Sequence, residues 1–273
     1  MFLLARILTL AFDAVVAPFG PHRLAALLTV SLLGGAVLAL VFRATSKQAA
    51  IARSREVFKA RILEMRLYPD DIVLITRAFG GALAAQGAYL KHAALGIVAA
   101  VVLAAPLFVQ VEQRFAAGAL RAGDRTLISA TLADGVDPRT ADASLSGPAA
   151  TEVDTRSLRV RASREVVWVV DVRDRGRHEM ELKVGNEAYQ FPLEAEESCR
   201  AIGRRRSASS WVDAGTQVGL PRIPAGASVE GVRVRYPDAH YRLLGVGMNW
   251  LAVFLVGTLV GAILPARLMR IHL

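Results

Sequence analysis

The chain has 273 residues, 53% of them hydrophobic and 21% charged, with mean hydropathy +0.38 and formal net charge +9. Hydropathy that high exceeds what a soluble globular domain carries and points to membrane-spanning segments. The single cysteine, Cys199, excludes an intrachain disulfide framework, so any external domain must rest on its core alone.

The N-terminal segment, residues 1–20, places Arg6, Thr9 and Asp13 at helical spacing on an otherwise apolar helix. A narrow polar stripe of that kind suits a helix lying in the membrane interface. A cleaved signal peptide is the other reading, but Asp13 interrupts the uncharged stretch that such a signal needs. "APFGPH", Ala17 to His22, then breaks the helix.

Leu24 to Phe42 is 19 residues without a charge, and so is Ala93 to Val111; Leu243 to Pro265 is 23 residues with only Asn249 strongly polar. About 20 apolar residues span a hydrocarbon core. The expected crossings are therefore 21–42, 93–111 and 243–266, with a tail at 267–273. Gly34 and Gly35 on the first crossing, and Gly257 and Gly261 on the third, suit close helix packing.

Between the first two crossings, residues 43–92 carry nine Lys or Arg against four Asp or Glu. A short basic connection stays in the cytoplasm, which puts the N-terminus outside and the tail inside. Arg exceeds Lys 29 to 4, a bias of GC-rich bacterial genomes, so the expected location is a bacterial inner membrane. Within 43–92, Ile51, Phe58, Ile62 and Met65 fall at spacings of 7, 4 and 3, on a helix that continues from the membrane. Pro69 ends that helix, and Asp70 or Asp71 offers a cap for a second one carrying Ile72, Ile75, Phe79 and Leu83. A helical hairpin packed as a short antiparallel coiled coil is expected.

Residues 112–242 change character, with Val-rich or alternating runs such as "EVVWVVDV" and "HEMELKVG" between Gly, Pro, Asp and Ser clusters. That patterning predicts an all-β, immunoglobulin-like sandwich outside the membrane, with Trp168 in its core. "GRRRSASSW", Gly203 to Trp211, is a basic loop.

Catalytic and metal-binding patterns are absent from the sequence. The five histidines are scattered, with no HExxH pair, no phosphate-binding loop and no nucleophile elbow. The uncharged runs Leu24–Phe42, Ala93–Val111 and Leu243–Pro265 hold no ionisable side chain, which argues against a proton relay. Neither an enzyme nor a cofactor is expected.

The order of elements, with "VSLLGGAVLALVFRATSKQAAIARSRE" (Val30 to Glu56) and "AYLKHAALGIVAAVVLAAPLFVQ" (Ala88 to Gln110), resembles the Oxa/Alb/YidC insertase superfamily. It is most similar to the minimal three-crossing members, the archaeal YidC-like proteins and the related subunit of the eukaryotic ER membrane complex. The resemblance covers residues 20–112 and the last crossing. It departs in the β domain of about 130 residues, and in lacking the Arg that bacterial members hold inside a membrane groove. Arg43, at the border of the first crossing, is the nearest match, and it is also where a border residue would snorkel.

The resemblance implies an insertase-like factor or membrane chaperone that needs no catalytic residue. Its basic hairpin would receive nascent membrane proteins or the ribosome through Arg43, Arg53, Arg55, Lys59 and Arg61. The alternative is a non-catalytic assembly subunit, in which the hairpin pairs with other membrane subunits and the β domain binds an external partner. Sequence-specific nucleic-acid binding is not expected.

Overall fold

A computed structural model describes residues 2–154, 156–202, 205–207, 223, 224, 226–243 and 245–269, with the backbone alone for 2–8 and 205–207. Arg6, Arg270 and the whole of the basic loop 203–211 therefore lie outside the described side chains. The chain divides into two compact units, Met1–Val30 with Val109–Val253, and Ser31–Phe108 with Phe254–Leu273.

Five α-helices are present among the described residues. α1 (Phe2–Val16) ends in a short turn at Ala17–Phe19, where Pro18 removes a donor and Gly20 adopts a φ of +51°. α2 spans Arg23–Thr45, α3 Gln48–Leu67, α4 Ile72–Phe115 and α5 Trp250–Leu268. Three of them, α2, α4 and α5, are long and apolar enough to cross a membrane.

The first arm does not continue unbroken from α2. Thr45 Oγ1 donates to the Val41 carbonyl at 2.7 Å and Ser46 Oγ to the Phe42 carbonyl at 2.5 Å. Hydroxyls that bond back onto the preceding turn compete with the helix ladder, and the chain breaks at Ser46–Lys47 before α3 begins. At the far end Asp71, not Asp70, is the cap: its Oδ1 accepts from the Val73 and Leu74 amides, both at 3.0 Å. From there α4 runs 44 residues without interruption, through Pro106.

The third apolar run is divided, which corrects the boundary at 243. Its first residues form a hairpin, β10 (His240–Leu243) against β11 (Val246–Asn249), with Gly245 at φ +84° in the turn. Asn249 Oδ1 accepts from the Ala252 amide at 2.8 Å, so the one strongly polar residue of the run caps α5.

The β region contains nine further described strands: β1 (Arg125–Leu132), β2 (Ala143–Ser146), β3 (Thr151–Val153), β4 (Leu158–Val160), β5 (Glu165–Val172), β6 (Arg177–Val184), β7 (Glu187–Glu194), β8 (Arg205–Ser207) and β9 (Val229–Val234). One antiparallel sheet has the order β3-β5-β1-β9-β8, with β4 also pairing β5; a second has the order β2-β6-β7. Burial alternates along β1, β5 and β6, as expected for strands with one covered face. Ile128, Val166, Trp168 and Val170 of the first sheet and Met180, Leu182, Phe191 and Leu193 of the second join one core. Trp168 is buried in it. Trp168→Ala should lower stability by about 3–5 kcal/mol in denaturant unfolding of the β region.

Candidate functional site

The arm formed by α3 and the first turns of α4 carries the basic residues of interest except Arg43, which sits in the last turn of α2. Arg43, Arg53, Arg55 and Lys59 are exposed, and none of them has an ion-pair partner among the described residues. Arg61 differs: it pairs with Glu64 at 2.7 Å, and its side chain lies over Gly81 of α4, where an added Cβ would sit 2.8 Å from its Nε.

The packing stripe is corrected in part. Ile51 is buried, against Ala39, Phe42 and Ala93, while Phe58 and Met65 are half-buried. Ile62 is 45% exposed and does not serve that packing; Ser54 is buried instead. On the α4 arm the buried residues are Ala78, Ala82 and Ala85, whereas Ile72, Phe79 and Leu83 are exposed. Small side chains fill the covered face and the large apolar ones are left outside. At the tip, Leu67, Tyr68, Ile72 and Val73 form an exposed apolar cluster in sequence around the Pro69 break.

Close approach of the long apolar helices rests on glycine. A Cβ on Gly35 would overlap the Thr258 carbonyl oxygen, and one on Gly261 would overlap the Leu32 carbonyl oxygen. At Gly257 it would fall 2.6 Å from the Ser31 side chain, and at Gly34 2.8 Å from Leu107. α2 and α5 thus touch backbone to backbone. Phe108 and Phe254 add an edge-to-face pair, with centroids 6.1 Å apart.

A second constellation, not anticipated from the sequence, surrounds the last turn of α4. Arg114 is 1% exposed, and its Nη2 donates to Asp13 Oδ1 of α1 at 2.6 Å. Its Nη1 donates to Gln110 Oε1, while Gln110 Nε2 donates to Thr9 Oγ1 at 3.2 Å and the Phe12 ring lies 5.4 Å from the guanidinium. Arg23 Nη2 donates to the carbonyls of Arg114 and Ala117, both at 2.6 Å. The Ile202 amide bonds the Gln113 carbonyl at 2.9 Å, Tyr241 Oη the Phe115 carbonyl at 2.9 Å, and the Ala239 amide the Ala116 carbonyl at 3.0 Å.

The last carbonyls of a helix have no partner within it and carry the negative end of its dipole. Here each receives a donor from another element, one of them a cation. Burial pushes the Tyr241 phenol up to about 12, which keeps it a donor. Burial also pushes the Cys199 thiol up, so it stays protonated and donates to the Gly20 carbonyl at 3.3 Å.

Beside this anchor a cavity of about 740 Å³ is lined by residues of α1, the Gly20–Pro21 turn, Arg114, Glu194 and the segment after β7. The Glu194 side chain is 9% exposed, and Arg177 Nε lies 3.6 Å from its Oε1. Burial raises the Glu194 carboxyl above its ordinary value of 4.5, with Arg177 opposing the shift. A raised carboxyl stabilises the fold most below its unfolded value, and that contribution is lost as pH rises through the folded value. Glu194→Gln should therefore raise the melting temperature at pH 7, and the gain should vanish as pH falls toward 4.5. Melting curves of both proteins across that range check the sign.

Among the described residues no cluster of His, Cys, Asp or Glu could hold a metal ion. No protein-family model matches the chain, and no curated protein or solved structure matches it.

Proposed function

We propose that the chain is an insertase-like membrane factor of the bacterial inner membrane that helps polar and transmembrane segments of other proteins enter the bilayer. Its relationship on this reading is to the Oxa/Alb/YidC superfamily. The N-terminus is outside, the α3–α4 arm and the tail are cytoplasmic, and the two β sheets form an immunoglobulin-like sandwich outside.

What supports this reading is the arm's surface, where Arg53, Arg55 and Lys59 are exposed without an ion-pair partner among the described residues and the tip of the same arm is apolar and uncovered. A nascent transmembrane segment is apolar with polar flanks, and it emerges beside ribosomal RNA. The tip offers apolar contact to the segment, and the cations attract phosphate in a salt-dependent way. No catalytic residue is required, because the work is lowering the cost of desolvating polar groups.

The same apolar tip also suits an assembly subunit, in which a partner subunit covers it. Changing Arg53, Arg55, Lys59 and Arg61 to Gln removes four charges and keeps good helix formers. As an insertase the variant should lose most photo-cross-linking from the arm to ribosome-bound nascent membrane proteins, with its orientation checked by impermeant labelling. As an assembly subunit it should cross-link to its partner unchanged, and polar replacements of Leu67 and Ile72 should abolish that contact instead.

A further inference from the structure

The cavity beside the α4 anchor has a built interior. Two of the ionisable side chains that line it are largely removed from water. Arg114 is 1% exposed with its Nε lacking a hydrogen-bond partner. Glu194 is 9% exposed, and the Arg177 guanidinium is too far from its carboxylate for a hydrogen bond. Leaving a carboxylate buried and unbonded is costly, so a donor belongs opposite it. The rim carries exposed Glu196, Glu197, Arg177 and Arg200, charges of both signs.

One wall of the cavity is α1, which turns Thr9 and Asp13 toward it. Elsewhere around that helix Leu10, Ala11, Ala14 and Val15 are exposed and wholly apolar. Such a helix lies at a lipid surface, which brings the cavity to the level of the headgroups.

We infer that the cavity binds the headgroup of an amine-bearing phospholipid, a phosphoethanolamine. The primary ammonium donates to the buried Glu194, the phosphate meets Arg177 and Arg200 at the rim, and the acyl chains leave along the apolar face of α1. The order follows the lipid's own polarity, since the amine is the group farthest from the chains. A choline headgroup has no N–H to give Glu194, and a glycerol headgroup brings no positive charge to it. Burial raises the Glu194 carboxyl, and a bound ammonium would oppose that shift as Arg177 already does. This assignment stands on the cavity and is independent of what the arm does.

The test uses the full chain in detergent, incubated with an equimolar mixture of phosphatidylethanolamine, phosphatidylcholine and phosphatidylglycerol of identical acyl chains. Retained lipid is quantified by mass spectrometry after gel filtration. Phosphatidylethanolamine should be retained at least about tenfold over the other two, since one charge-assisted hydrogen bond accounts for a factor of that size. Glu194→Gln should reduce it to the phosphatidylcholine level. The rim variant Arg200→Gln, at an exposed position and so without cost to folding, should retain several-fold less phosphatidylethanolamine. Equal retention of the three lipids, unchanged selectivity in Glu194→Gln, or unchanged retention in the rim variant, overturns the proposal. So does equally tight binding of free phosphoethanolamine, which would mean a soluble ligand.

Discussion

Gly35→Leu should abolish the association of α2 with α5, and Gly35→Ala should weaken it by about 1–3 kcal/mol. The added Cβ meets the Thr258 carbonyl oxygen, an atom of a helix backbone that cannot rotate aside. Gly261→Ala meets the Leu32 carbonyl in the same way, so the two helices must separate in either variant. Inside a bilayer no hydrophobic gain holds helices together, and close packing supplies the contact. Gly80 and Gly87 of α4 are the controls, because a Cβ there meets nothing within 4 Å. Their replacement by Ala should stabilise by up to about 1 kcal/mol through helix propensity. Unfolding of the purified chain in mixed micelles, followed by circular dichroism, measures all four. If Gly35→Ala behaves like Gly87→Ala, the backbone contact between α2 and α5 does not exist.

Arg23→Met should be the most damaging single change at the anchor, costing about 2–5 kcal/mol. Methionine retains much of the volume but donates nothing, so the buried carbonyls of Arg114 and Ala117 lose their common partner. Arg23→Lys should cost less, because one ammonium still opposes the negative end of the helix. Hydrogen exchange separates this from general destabilisation. The Ile202 and Ala239 amides, bonded to neighbouring carbonyls of the same turn, should exchange faster in Arg23→Met, while the core strand β5 stays protected. Unchanged exchange at those two amides would mean that Arg23 is not what secures the turn.

Hydropathy and alternation made most of the architecture legible. Uncharged runs near the length of a bilayer located α2, the membrane-length part of α4, and α5. Alternating or Val-rich runs located β1, β4, β5, β6, β7 and β9, and in β1, β5 and β6 one face is buried. The short strands β2 and β3 have three or four residues, too few for a period to declare itself. The hairpin before α5 was hidden because apolar residues fill both it and the helix. Asn249 held the information, since a lone polar residue in an apolar run is a cap as readily as a buried group.

The anchor around Arg114 was invisible for a different reason. Asp13 and Arg114 are 101 positions apart, and no periodicity links them. Each did leave a mark, an acid within an apolar helix and a base just after an uncharged run. Opposite charges within or beside two apolar helices are candidates to pair, because neither is cheaply left alone among apolar side chains. The arm misled in the opposite direction. Its apolar stripe predicted a coiled coil, but alanines cover the α4 side, and the large apolar residues remain exposed.

The central claim is that the basic, apolar-tipped arm serves client segments, and reconstitution tests it most directly. The purified chain is placed in proteoliposomes and offered ribosome-bound nascent chains with one transmembrane segment, and the protease-protected fraction is measured. The account predicts several-fold more protection than in empty liposomes, falling to the empty level when Arg53, Arg55, Lys59 and Arg61 are changed to Gln. Protection equal to that of empty liposomes with the unaltered chain would contradict it.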